Sequence, residues 1–168
     1  MGRRPSSVLV PGFYNTPGRL LTVPTVTDTY IENREIVQPH QTNSYDTAHG
    51  GVVMRLMDEV GAMSAMRLAG EACVTAHVED IDFLKPVPRG SVAVVESWVY
   101  DTGNTSVHVR LEVDKEDPLT GKRERTADSC FTFVAVGESG KPVSVPSLTV
   151  ETERDEKLRG RGREDGSE

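Results

Sequence analysis

The stretch NSYDTAHGGVVMRLMDEVGAMSAMRLA, residues 43–69, decides the fold. It runs from a polar loop through a His49-Gly50-Gly51 turn into a pattern that is apolar nearly all round. Between Val52 and Ala69 the strongly polar side chains are Arg55, Asp58, Glu59, Ser64 and Arg67. A helix so patterned belongs inside a protein rather than on its surface. Gly61, Ala62, Ala65 and Ala69 would let a neighbouring element approach it closely. Arg55 and Glu59 stand four apart and can pair along one edge. Asp58 has Met54, Met57, Gly61 and Ala62 as helical neighbours, so its carboxylate projects from an apolar wall, a setting typical of functional acids. The plainer alternative is an ion pair with Arg55, one turn back.

Working outward, Cys73 to Phe83 reads as a strand, closed by the rigid turn Lys85-Pro86-Val87-Pro88-Arg89-Gly90. Ser91 to Tyr100 is the next strand, and Asp101-Thr102-Gly103-Asn104 a tight hairpin. Thr105 to Asp114 alternates most cleanly: Val107, Val109, Leu111 and Val113 face one way, His108, Arg110 and Glu112 the other. After a polar loop, Glu116 to Arg125, the segment Ala127 to Val136 is apolar on both faces, as an interior strand should be. Upstream, Tyr30 to Val37 alternates as a first strand, and Pro39 ends it. The order is strand, helix, then four strands on short turns. It predicts an α+β architecture in which an antiparallel sheet of about five strands wraps around one long central helix. Residues 1–27 read as a partly disordered N-terminal extension with one short ordered piece at Leu20 to Val23, and 28–148 as the folded domain. Residues 149–168 read as a charged tail, partly helical and solvated. Its Arg-Gly-Arg-Gly-Arg run is too short, too interrupted by acids and too poor in aromatics to suggest RNA binding.

At 168 residues the chain fits one domain with a real core. A net charge of -7 excludes a nucleic-acid partner, which needs a concentrated basic surface. Cys73 and Cys130 form no Cys-x-x-Cys pair, so reduced, buried thiols in the cytoplasm are expected, with no metal. His40, His49, His77 and His108 lack the spacing of a zinc site. No apolar run approaches the roughly 20 residues of a membrane span, and no signal core opens the chain. MGRRPS fits the loose myristoylation pattern but has no polybasic partner segment. There is no Gly-x-Ser-x-Gly elbow, Walker loop or Gly-x-Gly-x-x-Gly run, which removes serine triads and the commonest nucleotide sites.

What remains is the set Asn43, Gly50 and Asp58. Gly50 and Gly51 open the helix, so their N–H groups are free and sit at its positive end, where an oxyanion is stabilised. The plainer reading of the glycines is a tight turn into the helix. Asp58 lies about 12 Å further along, at the standard rise. A carbonyl held at the helix N-terminus therefore meets an acid only if the substrate runs along the helix or a second subunit supplies one of the parts. That distance points to a composite site between two copies.

The run AHGG, MRLMDEVGAMSAMR, then VTAHVEDIDFLKPVPRG, the turn Gly103-Asn104-Thr105-Ser106 and finally FTFVAVGESGKPVSVP resembles the hotdog-fold acyl-CoA thioesterases. Within them it is most similar to the branch of the brain acyl-CoA hydrolase and its single-domain bacterial relatives, over about Tyr30 to Pro146. The resemblance implies a hotdog fold that dimerises through its sheets, as a hexamer of three dimers, acting on acyl-CoA in the cytoplasm without a cofactor. It implies Asp58 as general base or nucleophile from one subunit. Asn43 (orienting water) and the Gly50 N–H (polarising the carbonyl) would come from the other, with His49 and Thr75 assisting. Coenzyme A phosphates would lie near Arg89 and Gly90 and near the turn of Gly103, Thr105 and Ser106. Met54, Met57, Val60 and Met63 would suit an acyl tunnel. Asp46 departs from the pattern, since many relatives have glycine there, and it brings an acid towards a polyanion. Two other readings compete. A hotdog dehydratase would need a histidine beside the active helix, and none lies on it. An acyl-CoA-binding regulator would carry a DNA-binding segment, and the N-terminal extension has no helix-turn-helix pattern.

Overall fold

The computed structural model describes residues 23–163. The MGRRPS motif and all of the Leu20 to Val23 piece except its last residue lie outside them. Within them come β1 (Ile31–Ile36), α1 (Gly50–Ala69), β2 (Ala72–Val78), β3 (Asp82–Phe83), β4 (Val92–Thr102), β5 (Ser106–Glu116), β6 (Arg123–Val136) and α2 (Glu153–Arg163). Short 3-10 turns occupy Thr27–Thr29 and Pro39–Gln41. One antiparallel sheet has the order β1-β4-β5-β6-β2, with the two-residue β3 also on β6. It curls around α1, the arrangement of the hotdog fold.

The alternation in β5 does what it predicts. Val107, Val109, Leu111 and Val113 are fully buried and meet Val53, Leu56, Met57, Val60 and Leu68 of α1 in one core. Gly61 lets the helix settle on the sheet, because a Cβ there would stand 3.0 Å from the Phe133 ring and 3.3 Å from Leu111. Inside that contact the Ser64 and Ser97 hydroxyls lie 2.6 Å apart, and Ser97 donates to the Val60 carbonyl at 3.1 Å, so the buried hydroxyls are satisfied. Gly70, at φ 70°, ends α1 in the left-handed cap that glycine favours. Burial is one-sided rather than complete: Met54 and Met63 are exposed. Arg55 pairs with Glu59 at 2.9 Å and Glu35 at 3.3 Å.

The expected single strand from Cys73 to Phe83 is broken in two. A register shift between Thr75 and His77 bends β2, and at Glu79 the backbone leaves the ladder to bond the Cys130 carbonyl before β3 re-forms on β6. Both cysteines are free. Cys130 is buried, but Cys73 is only half-buried, because β2 is a sheet edge.

The charged tail, expected in solvent, instead packs on the sheet's outer face as α2. Leu158 is buried with Trp98 and Val26, and the Trp98 Nε1–H donates to the Leu158 carbonyl at 2.7 Å. The Arg161 guanidinium lies 4.8 Å from the Trp98 ring centre and also bonds Glu112. Arg110 and Glu112, which point away from α1, are thereby covered. Val26 joins the same layer through a backbone bond to Thr149 of 3.2 Å.

Candidate active site

The Asn43 loop is built by its own side chain. Asn43 Oδ1 accepts from the backbone N–H of Tyr45 at 2.9 Å and from Thr47 N–H and hydroxyl at 3.3 and 3.2 Å. Its carbonyl oxygen is thus committed to the loop, and the Nδ2 donors are the part left to meet a ligand. The turn closes with the Asp46 N–H on the Asn43 carbonyl, at 3.1 Å, with Asp46 itself at φ 55°. That left-handed conformation costs glycine nothing and aspartate little. The departure at this position therefore leaves the turn intact. Bonds from Ala48 N–H to the Val87 carbonyl (2.8 Å) and from Arg89 N–H to the Asp46 carbonyl (2.8 Å) stitch the loop to the Lys85–Gly90 turn.

His49 is the residue before α1. Its carbonyl accepts the Val52 and Val53 N–H groups, and its exposed side chain makes no capping bond. The N–H groups of Gly50 and Gly51 precede those bonds, so they face outward at the positive end of the helix. Beside Gly50 runs a groove of about 270 Å³, walled by Ala48, Val53, Phe83, Leu84 and Val87. The Phe83 ring comes within 3.4 Å of where a Gly50 Cβ would stand. None of the residues expected to line an acyl tunnel walls this groove: Met57 and Val60 are fully buried in the core, and Met54 and Met63 face outward. Phe83 escaped the sequence reading because, as the last residue of a supposed continuous strand, nothing marked it as facing α1. The adjoining break at Glu79 to Ile81, with its run of acids, was the available signal.

Asp58 meets Thr75, not Arg55. The Thr75 hydroxyl of β2 donates to Asp58 Oδ1, joining the middle of α1 to the sheet edge. Both residues face outward at that edge rather than into the core. A thiol nucleophile is disfavoured: burial, with Glu71 nearby, pushes the Cys73 thiol up to about 11, and burial raises that of Cys130 as well. Among the described residues no group of three or more His, Cys, Asp and Glu side chains could hold a metal ion.

The sequence-predicted residues thus fall into three places. Asn43, His49, Gly50, Arg89 and Gly90 gather at one end of the molecule. Asp58 and Thr75 pair along the β2 edge. Gly103, Thr105 and Ser106 form the β4–β5 hairpin, closed by the Gly103 N–H on the Ser106 carbonyl at 2.9 Å. That hairpin and Arg89 lie at opposite ends of β4, about 35 Å apart at the usual strand rise. One coenzyme A could touch both only if they came from different subunits.

A curled sheet gripping a central helix, with an aspartate held outward from the helix and free amides at its N-terminus, defines a hotdog-fold thioester-handling protein. The profile of the thioesterase superfamily matches residues 45–122. A Bacillus subtilis protein named as an uncharacterized acyl-CoA thioester hydrolase, YkhA, is 40% identical over 119 residues, which are 71% of this chain and 69% of that protein. The cytosolic acyl coenzyme A thioester hydrolase of rat is 39% identical over 134 residues, 76% of this chain, but the match spans only about a third (35%) of its length. Among solved structures, the Staphylococcus aureus acyl-CoA hydrolase in complex with butyryl coenzyme A superimposes with a TM-score of 0.75 at 31% identity, covering 81% of this chain and 83% of that one. A hexameric acyl-CoA thioesterase without ligand also reaches 0.75, at 37% identity, covering 81% and 87%. The chain belongs to the thioesterase superfamily, in its acyl-CoA thioester hydrolase branch. The S. aureus hydrolase has also been solved with an asparagine, an aspartate or a threonine changed to alanine. Those three positions follow one another at the same separations as Asn43, Asp58 and Thr75 here.

Proposed function

We propose that the protein hydrolyses acyl-CoA thioesters to free coenzyme A and a carboxylic acid, at composite sites between two protomers. The observation that carries this is the Thr75–Asp58 hydrogen bond at an open sheet edge. It holds a helix-borne carboxylate outward, where a second subunit's Gly50 amide can meet it. The thioester carbonyl would accept from Gly50 N–H, which stabilises the oxyanion of the tetrahedral intermediate. Asp58 of the neighbouring subunit then takes a proton from a water oriented by Asn43 Nδ2, or attacks the carbonyl carbon itself. With water as the nucleophile the new C–O bond forms, the C–S bond breaks and the proton goes to the departing thiolate. With Asp58 as the nucleophile the C–S bond breaks to leave an acyl anhydride on Asp58. A water hydrolyses that anhydride in a second step, giving a proton to the thiolate and restoring the carboxylate. Thr75 positions Asp58 throughout. A hydroxyl rather than an imidazole beside the acid favours hydrolysis over dehydration. His49, at the helix entrance, flanks the carbonyl.

The edge strand β2 supports self-association. Among the described residues its outer backbone pairs with no other strand and its Val74 is half-exposed, so a second copy can extend the sheet there. Dimers would assemble further into a hexamer, as in the hexameric relative, and act in the cytoplasm. Arg89 and Gly90 of one subunit, with Gly103, Thr105 and Ser106 of another, would hold coenzyme A. The test is thiol release from a series of acyl-CoA substrates. Asp58→Ala should lower kcat by about 10², the cost of losing a positioned acid–base group. Thr75→Val should lower it about tenfold, the loss expected for one hydrogen bond to a charged group. Full activity in Asp58→Ala would sink the mechanism.

A further inference from the structure

The Lys85–Gly90 turn separates two grooves. Lys85 lines the one beside Gly50, and Arg89 and Gly90 line a second, of about 470 Å³, on its far side. The second groove is completed by the β5–β6 hairpin, which contributes Lys115, Lys122 and Leu119. We propose that this second groove seats the phosphates of the substrate's nucleotide end, with Lys115 and Lys122 joining Arg89. In it Asp46 is a specificity-determining residue that competes with phosphate for the Arg89 guanidinium. The inference rests on the acyl-CoA reading above and names residues that reading leaves without a role.

The charges favour it. Four cations, Lys85, Arg89, Lys115 and Lys122, converge on this end of a chain whose net charge is -7. Three acids face them. Glu124 is shared between Lys85 and Lys115, whose Nζ lies at 2.9 Å. Asp117 is turned into its own hairpin, accepting the N–H groups of Leu119 at 2.8 Å and Thr120 at 3.1 Å. Asp46 lies 3.7 Å from Arg89 Nε, and both side chains are more than half exposed. Among the described residues the Lys122 ammonium has no ion-pair partner. An incoming phosphate therefore finds one uncommitted cation and a second whose present partner is loosely held. Leu119, 93% exposed at the lip, offers an apolar face of the kind a nucleobase covers. From Lys85 to Arg89 the turn spans at most about 13 Å. A long arm lying over it would join a phosphate in the second groove to a thioester at Gly50.

The experiment compares acyl-CoA with the same acyl group on pantetheine, which lacks the nucleotide. The quantity read is the ratio of their kcat/KM values. Lys122→Gln should lower that ratio about three- to fivefold, the scale of one exposed charge contact. Arg89→Gln should lower it at least as far. Asp46→Asn keeps a residue that accepts φ 55° and removes the charge, so it should raise the ratio by a similar factor. Added salt should erase all three effects. Calorimetric titration of coenzyme A into wild type and Lys122→Gln reads the same groove without turnover. A wild type that binds coenzyme A but hydrolyses no thioester would overturn the enzymatic reading and leave the groove standing. Ratios and affinities unchanged in Lys122→Gln and Arg89→Gln would overturn the groove. A fall in the Asp46→Asn ratio would show that residue supporting Arg89 rather than competing for it. If ADP alters hydrolysis of the pantetheine thioester, the groove holds a separate effector and the assignment to the substrate is wrong.

Discussion

Asp155 is wholly buried, yet it stays ionised because five donors surround it: the N–H and hydroxyl of Thr27 (2.7 and 2.5 Å), the N–H of Glu151 (3.2 Å) and the N–H and hydroxyl of Thr152 (2.9 and 2.8 Å). Burial pushes its carboxyl up, but the bonds from Thr27 and Thr152 outweigh it and hold the group well below the usual carboxylate range. A carboxyl lowered in the folded state stabilises the fold fully above its unfolded pKa, about 3.9, and that contribution is lost as pH falls towards the folded value. Trp98 is the chain's one tryptophan and lies under α2, so its emission reports the docking. Acid titration below about pH 4 should shift that emission to the red. Asp155→Asn should cost about 2 kcal/mol of stability at neutral pH, the scale of stranding buried donors, and should flatten the acid response. An unchanged acid profile in the variant would assign the transition to other groups. The sequence gives no hint of this residue, because an acid in a charged run looks solvated until the threonines of a distant segment are brought to it. Asp58 is the opposite case. Its apolar helical neighbours mark it, although choosing between Arg55 and Thr75 as its partner needed the fold.

At the scale of elements, legibility follows how much of an element's burial is apolar. β5 and β6 are visible because their inward residues are valine, leucine, phenylalanine and alanine at strand period. α2 is not, since Leu158 is its one large aliphatic side chain and the rest of its contact is guanidinium on indole and carboxylate. Its packing also depends on a residue with no side chain. A Cβ on Gly162 would collide with Cβ and Cγ of Tyr100, so what reads as an Arg-Gly repeat is a point of close approach. Two changes test the docking by chemical denaturation. Leu158→Ala should cost about 2–3 kcal/mol, as deletions of buried leucine atoms do. Gly162→Ala should move the end of α2 off Tyr100 and expose Cys130 beneath it, whose thiol lies 3.9 Å from the Gly162 carbonyl, to alkylation. A Gly162→Ala chain with wild-type stability and an unreactive Cys130 would show that α2 is not clamped there. The bulge inside β2 was illegible for a different reason: it leaves the apolar content of a strand unchanged and alters only its register, whereas the acids Glu79 and Asp80 marked the break that follows it.

For the whole molecule, the consequential quantity is the distance a single chain cannot close. Gly50 and Asp58 share one rigid helix, so about 12 Å separates them in every conformation that keeps α1 intact. If the site is composite, the two lesions Asn43→Ala and Asp58→Ala complement each other. In a dimer of one Asn43→Ala and one Asp58→Ala chain, both defects fall in the same site. The other site receives wild-type Asn43 from one chain and wild-type Asp58 from the other. Equal amounts of the two inactive proteins, unfolded together and refolded, should therefore regain about a quarter of wild-type activity, because half of the dimers are mixed and each has one sound site. The recovered activity should keep the wild-type KM, since its sites are unaltered, and should be absent when the folded proteins are mixed without subunit exchange. A site contained within one chain allows no such recovery, as every subunit would carry a defect. Activity that stays at the level of the separate variants after refolding, with mixed dimers shown by mass to be present, would place Asp58 and Asn43 in the same protomer's site and overturn the composite geometry.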